Sequence, residues 1–377
     1  MNGLNSPSGI AHGSAGRLMA LVLGAAMCCG LSAGVVFAQA AWRSQQCSDP
    51  TAGGEGLVAY CRGLEKQDAG DVAGSVADLQ LALKLNPERP EPHLLLGVAY
   101  TDSKDYVRAL QEYDTYLAAV TDNPAGWSNR AVVHLKMGDL AAARRDIERA
   151  LDLAPHERRL TENRIVIARE AGDWPTVIAD CSRLLEEFPN DAKLRRERAK
   201  ALVNSGQTAA ALDDFDRALV LEPTAEAYLH RGHANYLLGQ HERAIADLSR
   251  AIELDSSLAD AFRWRAYAEY RSQRYLTAVR DCGEYARLRP DESEGYYCRG
   301  IMLSRAGDHD AAIADYERAI ERARTAEDAG NAWYGVGVCH ERAGRTAQAI
   351  AAFRRTLEVY PQQAQAQSAL ARLTRTK

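Results

Sequence analysis

Residues 124–157 read PAGWSNRAVVHLKMGDLAAARRDIERALDLAPHE, and the fold follows from how that stretch is punctuated. Gly138 stands near its middle, where a helix needs a left-handed cap, and Pro155 near its end, where a helix must stop. On either side of the glycine the small residues Ala131 and Ala143 let two helix backbones approach closely. The stretch is therefore helix, tight turn, helix, break.

The same 34-residue pattern recurs along the chain. Nine units cover 56–89, 90–123, 124–157, 158–191, 192–224, 225–258, 259–292, 293–329 and 330–363. The fifth is one residue short and the eighth three residues long, differences expected to fall in loops near the unit ends. The eighth position of a unit is small or medium, as in Gly63, Gly97, Ala199, Gly232 and Gly337. The twenty-fourth carries a larger plug, as in Leu79, Tyr113, Phe215, Leu248, Tyr316 and Phe353. Glycines recur mid-unit at 70, 138, 172, 206, 239, 307 and 344.

These small, plug, glycine and proline positions at this period resemble the tetratricopeptide repeat family over residues 56–363. The resemblance implies an all-α, right-handed superhelical solenoid of nine helical hairpins, with the first helix of each lining an inner groove that holds a protein or extended peptide. Ala366, Leu370 and Leu373 at helical spacing make 364–377 a C-terminal capping helix. Two departures from the family pattern predict looser or bent stacking. Tyr116, Leu184 and Tyr285 stand where the family has Ala, and Thr121, Ser256 and Arg324 replace the closing proline.

Seven units carry Arg at the seventh position (62, 130, 164, 198, 231, 265, 299) and Asp at the twenty-third (78, 146, 180, 214, 247, 281, 315). The two without that Arg lack the Asp as well. Such covariation within one chain predicts an ion pair inside each hairpin rather than an anion track, so these arginines are left out of the binding site.

The groove positions that the resemblance implies read apolar with an acidic tint in the first three units: Leu57, Tyr60, Leu64, Leu94, Val98, Val132 and Leu135, with Asp68, Glu91 and Asp102. The fourth and fifth units add Arg196 and Lys200. The sixth to ninth offer His233, Tyr236, Arg263, Tyr267, Tyr270, Arg271, Tyr297, Arg305, Tyr334 and Arg342. Tyr with Arg is the composition of binding hot spots, and Arg presents a planar fork to carboxylates. The expected ligand is an extended, partly acidic peptide. A glycan-handling accessory role, with sugars on the tyrosines, is the alternative. Some relatives clamp a C-terminal carboxylate with Lys and Asn on three successive repeats. Arg196 and Lys200 match part of that clamp, but Ser128 and Val132 stand where Lys and Asn belong, so the clamp is incomplete.

No phosphate loop, nucleophile elbow or Cys-x-x-Cys motif occurs, so neither catalysis nor a cofactor is expected. His230 and His233, three apart, are read as packed and groove residues rather than metal ligands. The net charge of −5 gives no general attraction to nucleic acid. A monomeric scaffold working within a complex is expected.

Residues 1–40 contain no Asp or Glu. Their apolar run from Leu18 to Phe37 ends in Ala38-Gln39-Ala40, the layout of a secretory signal peptide cleaved after Ala40. An uncleaved anchor is the other reading. Either places the body outside the cytoplasm, in a periplasm or cell envelope, with 41–55 as linker. Disulfides are then allowed. Cys47 with Cys61, and Cys298 with Cys339, are the candidate pairs, while Cys181 and Cys282 at plug positions are expected to be buried thiols.

Overall fold

The computed structural model describes Cys47 and residues 54–375. The signal segment 1–40 and nearly all of the linker lie outside them. By internal contact the chain divides into two compact units, Met1–Asp180 and Cys181–Lys377. The division falls inside one helix.

Among the described residues there are nineteen helices and no strands. The first unit holds α1 (Gly54–Asp68), α2 (Val72–Leu85), α3 (Glu91–Asp102), α4 (Tyr106–Ala119), α5 (Pro124–Lys136), α6 (Leu140–Leu153) and α7 (Arg158–Glu170), and α8 (Trp174–Glu187) crosses the division. The second continues with α9 (Ala192–Asn204), α10 (Thr208–Leu221), α11 (Ala225–Leu237), α12 (His241–Leu254), α13 (Ala259–Arg271) and α14 (Tyr275–Leu288). It ends with α15 (Ser293–Ala306), α16 (His309–Glu321), α17 (Ala326–Arg342), α18 (Thr346–Val359) and α19 (Ala364–Arg375). Within each unit consecutive helices pair into hairpins, and α19 packs against α18. None of the described helices is long and apolar enough to cross a membrane.

Each hairpin closes as its sequence dictates. All seven mid-unit glycines have positive φ, the conformation only Gly adopts without strain. Where the second and seventh units lack that Gly, Lys104 (φ 62°) and Gln273 (φ 61°) are forced into it. Lys104→Gly and Gln273→Gly are therefore each expected to stabilise the fold by about 1 kcal/mol, read as a higher urea midpoint. The start of the second helix is often capped by Asp, whose carboxylate accepts a backbone N–H: Asp71 from Gly74 at 2.9 Å, Asp139 from Ala142 at 2.9 Å, Asp308 from Ala311 at 3.1 Å.

Plugs seat on the eighth-position glycines of their own hairpins. A Cβ on Gly97 would come within 2.5 Å of the Tyr113 ring, and one on Gly337 within 2.5 Å of Phe353. The predicted ion pairs form in all seven hairpins. Arg62 reaches Asp78 at 3.0 Å. Arg130, Arg164, Arg198, Arg231, Arg265 and Arg299 each grip their Asp with two guanidinium nitrogens. Several also reach back one hairpin, a tie the sequence reading missed: Arg130 to Asp114 at 2.7 Å, Arg231 to Asp216 at 2.7 Å, Arg265 to Ser249 at 3.1 Å. In the second hairpin, Glu112 takes His93 instead, at 2.6 Å.

Three expectations need correction. The stacking is not looser at Tyr116, Leu184 and Tyr285, which are buried. Room for Tyr116 is made at the third position of the following unit. There a Cβ on Gly126 would strike the Tyr116 ring at 2.8 Å, whereas Tyr285 packs with Ala259 and Phe262 and donates its hydroxyl to Glu292 at 2.9 Å. The three extra residues of the eighth unit are not loop. They lengthen α17 to 17 residues, beginning at Ala326 behind the Thr325 cap. The missing residue of the fifth unit does fall in a loop, between α10 and α11.

Cysteine pairing is the third. Cys47–Cys61 forms, pinning the chain before α1. Cys298 pairs not with Cys339 but with Cys282, so Cys282 is not a thiol. The plug position of one hairpin faces the sixth position of the next because the second helix packs on the following first helix. Cys339 is a buried free cysteine, and Cys181 is buried.

Candidate functional site

In the first unit, residues read as groove-lining are core. Leu57, Tyr60, Leu64 and Val98 are buried and pack with Leu79, Leu95 and Tyr113. Ser128, at a clamp position, is buried and accepts a hydrogen bond from Asn163 Nδ2 at 2.9 Å.

The second unit gathers a different surface. Its first helices α11, α13, α15 and α17 touch in sequence order. From α11, His233 stacks on Trp264 of α13 with ring centroids 4.0 Å apart. Tyr236 meets the same indole at 5.5 Å and Tyr267 at 6.3 Å. Tyr267 donates its hydroxyl to Glu294 of α15 at 2.6 Å. Arg263 lies over Trp264, 4.8 Å from the ring centroid, and pairs with Asp260 at 2.7 Å. Burial opposes the Arg263 charge, but the negative fields of Asp260 and Glu294, with those of the nearby tyrosines, outweigh it and raise its pKa. Burial, helped by Arg263, pushes the His233 imidazole down to about 4, so it stays neutral. His230 is pushed down to about 3 by burial and by Lys200, and stacks on Phe215. Among the described residues neither histidine belongs to a cluster of three or more metal-ligating side chains.

At the edge of these rings lie Tyr270, Arg271 and Arg305. Arg305 sits over Tyr270 at 5.8 Å, and Tyr270 meets Tyr275 at 5.8 Å. Arg271 is exposed, and its charge acts on Tyr236. A shallow depression of about 410 Å³ opens here, lined by Gln273, Arg274, Tyr275, Leu276, Thr277, Arg305 and Ala306. Leu276 is 75% exposed on its wall.

The remaining predicted residues are placed elsewhere. Arg196 pairs with Glu222 at 2.9 Å and Lys200 with Glu197 at 2.5 Å, so acids of the chain itself answer both charges. Tyr297 meets Tyr316 at 5.8 Å and Tyr334 meets Phe353 at 5.6 Å, contacts between core-facing rings. Arg342 reaches Ser304 at 3.4 Å. The residue at the centre, Trp264, was missed. It falls one position outside the repeat's groove set, yet with Tyr267 and Arg271 it shares the i, i+3, i+7 face of one helix, a signal that the sequence carries.

Models of the tetratricopeptide repeat match residues 60–124 and 129–192, 164–229, 225–258 and 291–362. Among curated proteins, Hsp70-Hsp90 organizing protein 2 of Arabidopsis thaliana is 22% identical over 232 residues, 60% of this chain and 34% of that protein. Heat shock protein STI1 of Saccharomyces cerevisiae is 28% identical over 99 residues, 26% of this chain and 17% of that protein. The chain thus spans about a third or less of the length of these relatives. Among solved structures, a tetratricopeptide repeat protein from Parabacteroides merdae superposes with a TM-score of 0.52 at 19% identity, covering 67% of this chain and 98% of that one. That likeness concerns the fold.

Proposed function

We propose, from the premise that this chain belongs to the tetratricopeptide repeat family, that it is a protein-binding scaffold whose second unit holds an extended, partly acidic peptide. The observation that carries the reading is at the edge of the ring cluster. Among the described residues no acid of the chain pairs with Arg271 or Arg305, although the chain as a whole is acidic, at −5. Aromatic faces beside such cations suit a peptide that sets apolar side chains on Trp264 and Tyr267 and carboxylates on the guanidinium forks. The curated relatives, whose names tie them to heat shock proteins, support protein binding in general. The reading concerns a scaffold that positions a partner and makes no bonds. The acid-free, apolar stretch within residues 1–40 supports an exported protein of the periplasm or cell envelope.

The test is a peptide array and a glycan array probed with the same full chain, followed by titration calorimetry. Binding of acidic peptides is expected. Arg271→Glu with Arg305→Glu should weaken it at least about tenfold, a loss of ~1.4 kcal/mol, with the melting curve unchanged. Arg263 is the wrong residue to reverse, because its charge is held by Asp260 and the rings. Binding to glycans alone, or peptide affinity indifferent to both reversals, would overturn the proposal.

A further inference from the structure

The eleventh position of each unit lies one helical turn past the Arg of the ion pair and faces the same Asp, twelve residues ahead. In the first hairpin it is Lys66, whose Nζ is 2.7 Å from Asp78. In the third it is His134, 3.8 Å from Asp146. In the sixth it is Asn235, whose Nδ2 donates to Asp247 at 2.9 Å. The fourth, fifth and eighth units place Ala168, Leu202 and Leu303 there. Each polar occupant sets a nitrogen rather than a second carboxylate toward the Asp, and Asn235 donates to it outright.

The seventh hairpin breaks this rule. Its eleventh residue is Glu269, twelve residues before Asp281. The two are 8% and 5% exposed, and Glu269 Oε2 has no hydrogen-bond partner. Arg265 on the same helix is already committed to both Asp281 oxygens, at 2.6 and 2.8 Å. Arg274, in the turn, is held by Glu242 of α12 at 3.0 Å. Thr277 of α14 offers a hydroxyl to the Glu269 carboxylate and, with the charges of Arg265 and Arg274, partly offsets the cost of ionising it. On the neighbouring turns, His233 and Tyr236 of α11 face Trp264 and Tyr267, and Arg305 of α15 faces Tyr270. Two buried carboxylates therefore share one committed guanidinium, at a site where the other hairpins supply a donor or an apolar side chain.

We propose that Glu269 is a proton-operated clasp: protonated, it supplies the O–H that joins α13 to α14 through Asp281, and ionised, it sets a second negative charge against Asp281 and loosens the seventh hairpin. Burial, then the charge of Asp281, pushes the Glu269 carboxyl up from 4.5 to about 7. The sign follows from linkage. The unfolded chain gives up this proton near pH 4.5 and the folded hairpin only near 7, so the clasp's stability is complete below 4.5, is lost as pH rises between the two, and is gone above 7. Insofar as the peptide-binding reading holds, α13 also carries Tyr267, Tyr270 and Arg271, so the clasp would govern how firmly that face is held; the clasp itself needs no ligand.

The test is hydrogen exchange by mass spectrometry on the full chain without ligand, from pH 4 to 8.5. The α11–α12 hairpin, with its permanent Asn235 donor, serves as internal reference. Opening of α13–α14 relative to that reference should increase on the order of 100-fold from pH 4 to 8. Glu269→Gln, a donor at every pH, should abolish the increase, and Glu269→Lys, which copies Lys66, should do the same. A constant ratio in the wild-type chain, or an increase that persists in both variants, would overturn the clasp, whether or not any peptide binds.

Discussion

Replacing Arg231 with Ala is expected to destabilise the sixth hairpin by about 3 kcal/mol, and replacing Asp247 with Ala by about half of that. The asymmetry comes from burial. The Asp247 side chain is 9% exposed and that of Arg231 25%. Without Arg231, a buried carboxylate keeps only the Asn235 amide, 2.9 Å away, and loses both charge-assisted hydrogen bonds of the guanidinium. Without Asp247, Arg231 still reaches Asp216 at 2.7 Å and can turn toward solvent. The double variant should lose less than the sum of the two, because the second change removes a group whose partner is already gone. Urea unfolding of the four proteins measures this. Additive losses would mean that the pair does not act as a pair, and equal single losses would mean that burial does not set the cost.

The second large effect is expected at the Cys282–Cys298 bridge. It joins α14 to α15 across a sequence separation of 16, and both half-cystines are fully buried with Ala266, Ala278 and Met302. A closed loop of that length is worth about 3 kcal/mol through the unfolded chain it restrains. Cys282→Ala with Cys298→Ala should therefore lower the unfolding free energy of the oxidised protein by roughly this amount, while little should change in reductant, where neither protein has the bridge. Non-reducing peptide mapping should join Cys282 to Cys298 and leave Cys339 a thiol. A Cys298–Cys339 peptide, or the same stability with and without the two cysteines, would contradict the pairing.

Contacts that repeat could be read before any coordinates. The Arg–Asp pairs, the glycine turns and the plug positions each appear in most units, so internal comparison picks them out, and each is a contact within one hairpin. Contacts between hairpins were read less well. Tyr116 looked like a defect because its compensation, Gly126, lies in the following unit. Cys282 looked like a lone plug because its partner is the sixth residue of the next hairpin. The candidate site divided in the same way. Helical phase placed His233, Tyr236, Tyr267, Tyr270, Arg271 and Arg305 on adjoining first helices, but it did not find Trp264 or separate open cations from committed ones.

By itself the sequence determined the helical hairpin and the pairs that close it, because residues at a fixed offset in a rigid two-helix unit meet wherever that unit occurs. Only the tertiary structure decided which cysteines join, that Leu57 and Tyr60 are core, and that Arg196 and Lys200 are answered by Glu222 and Glu197 while Arg271 and Arg305 pair with no acid among the described residues. These outcomes depend on the packing of one hairpin against its neighbour, where shape and burial are settled by pairs of units and no single repeat carries the information.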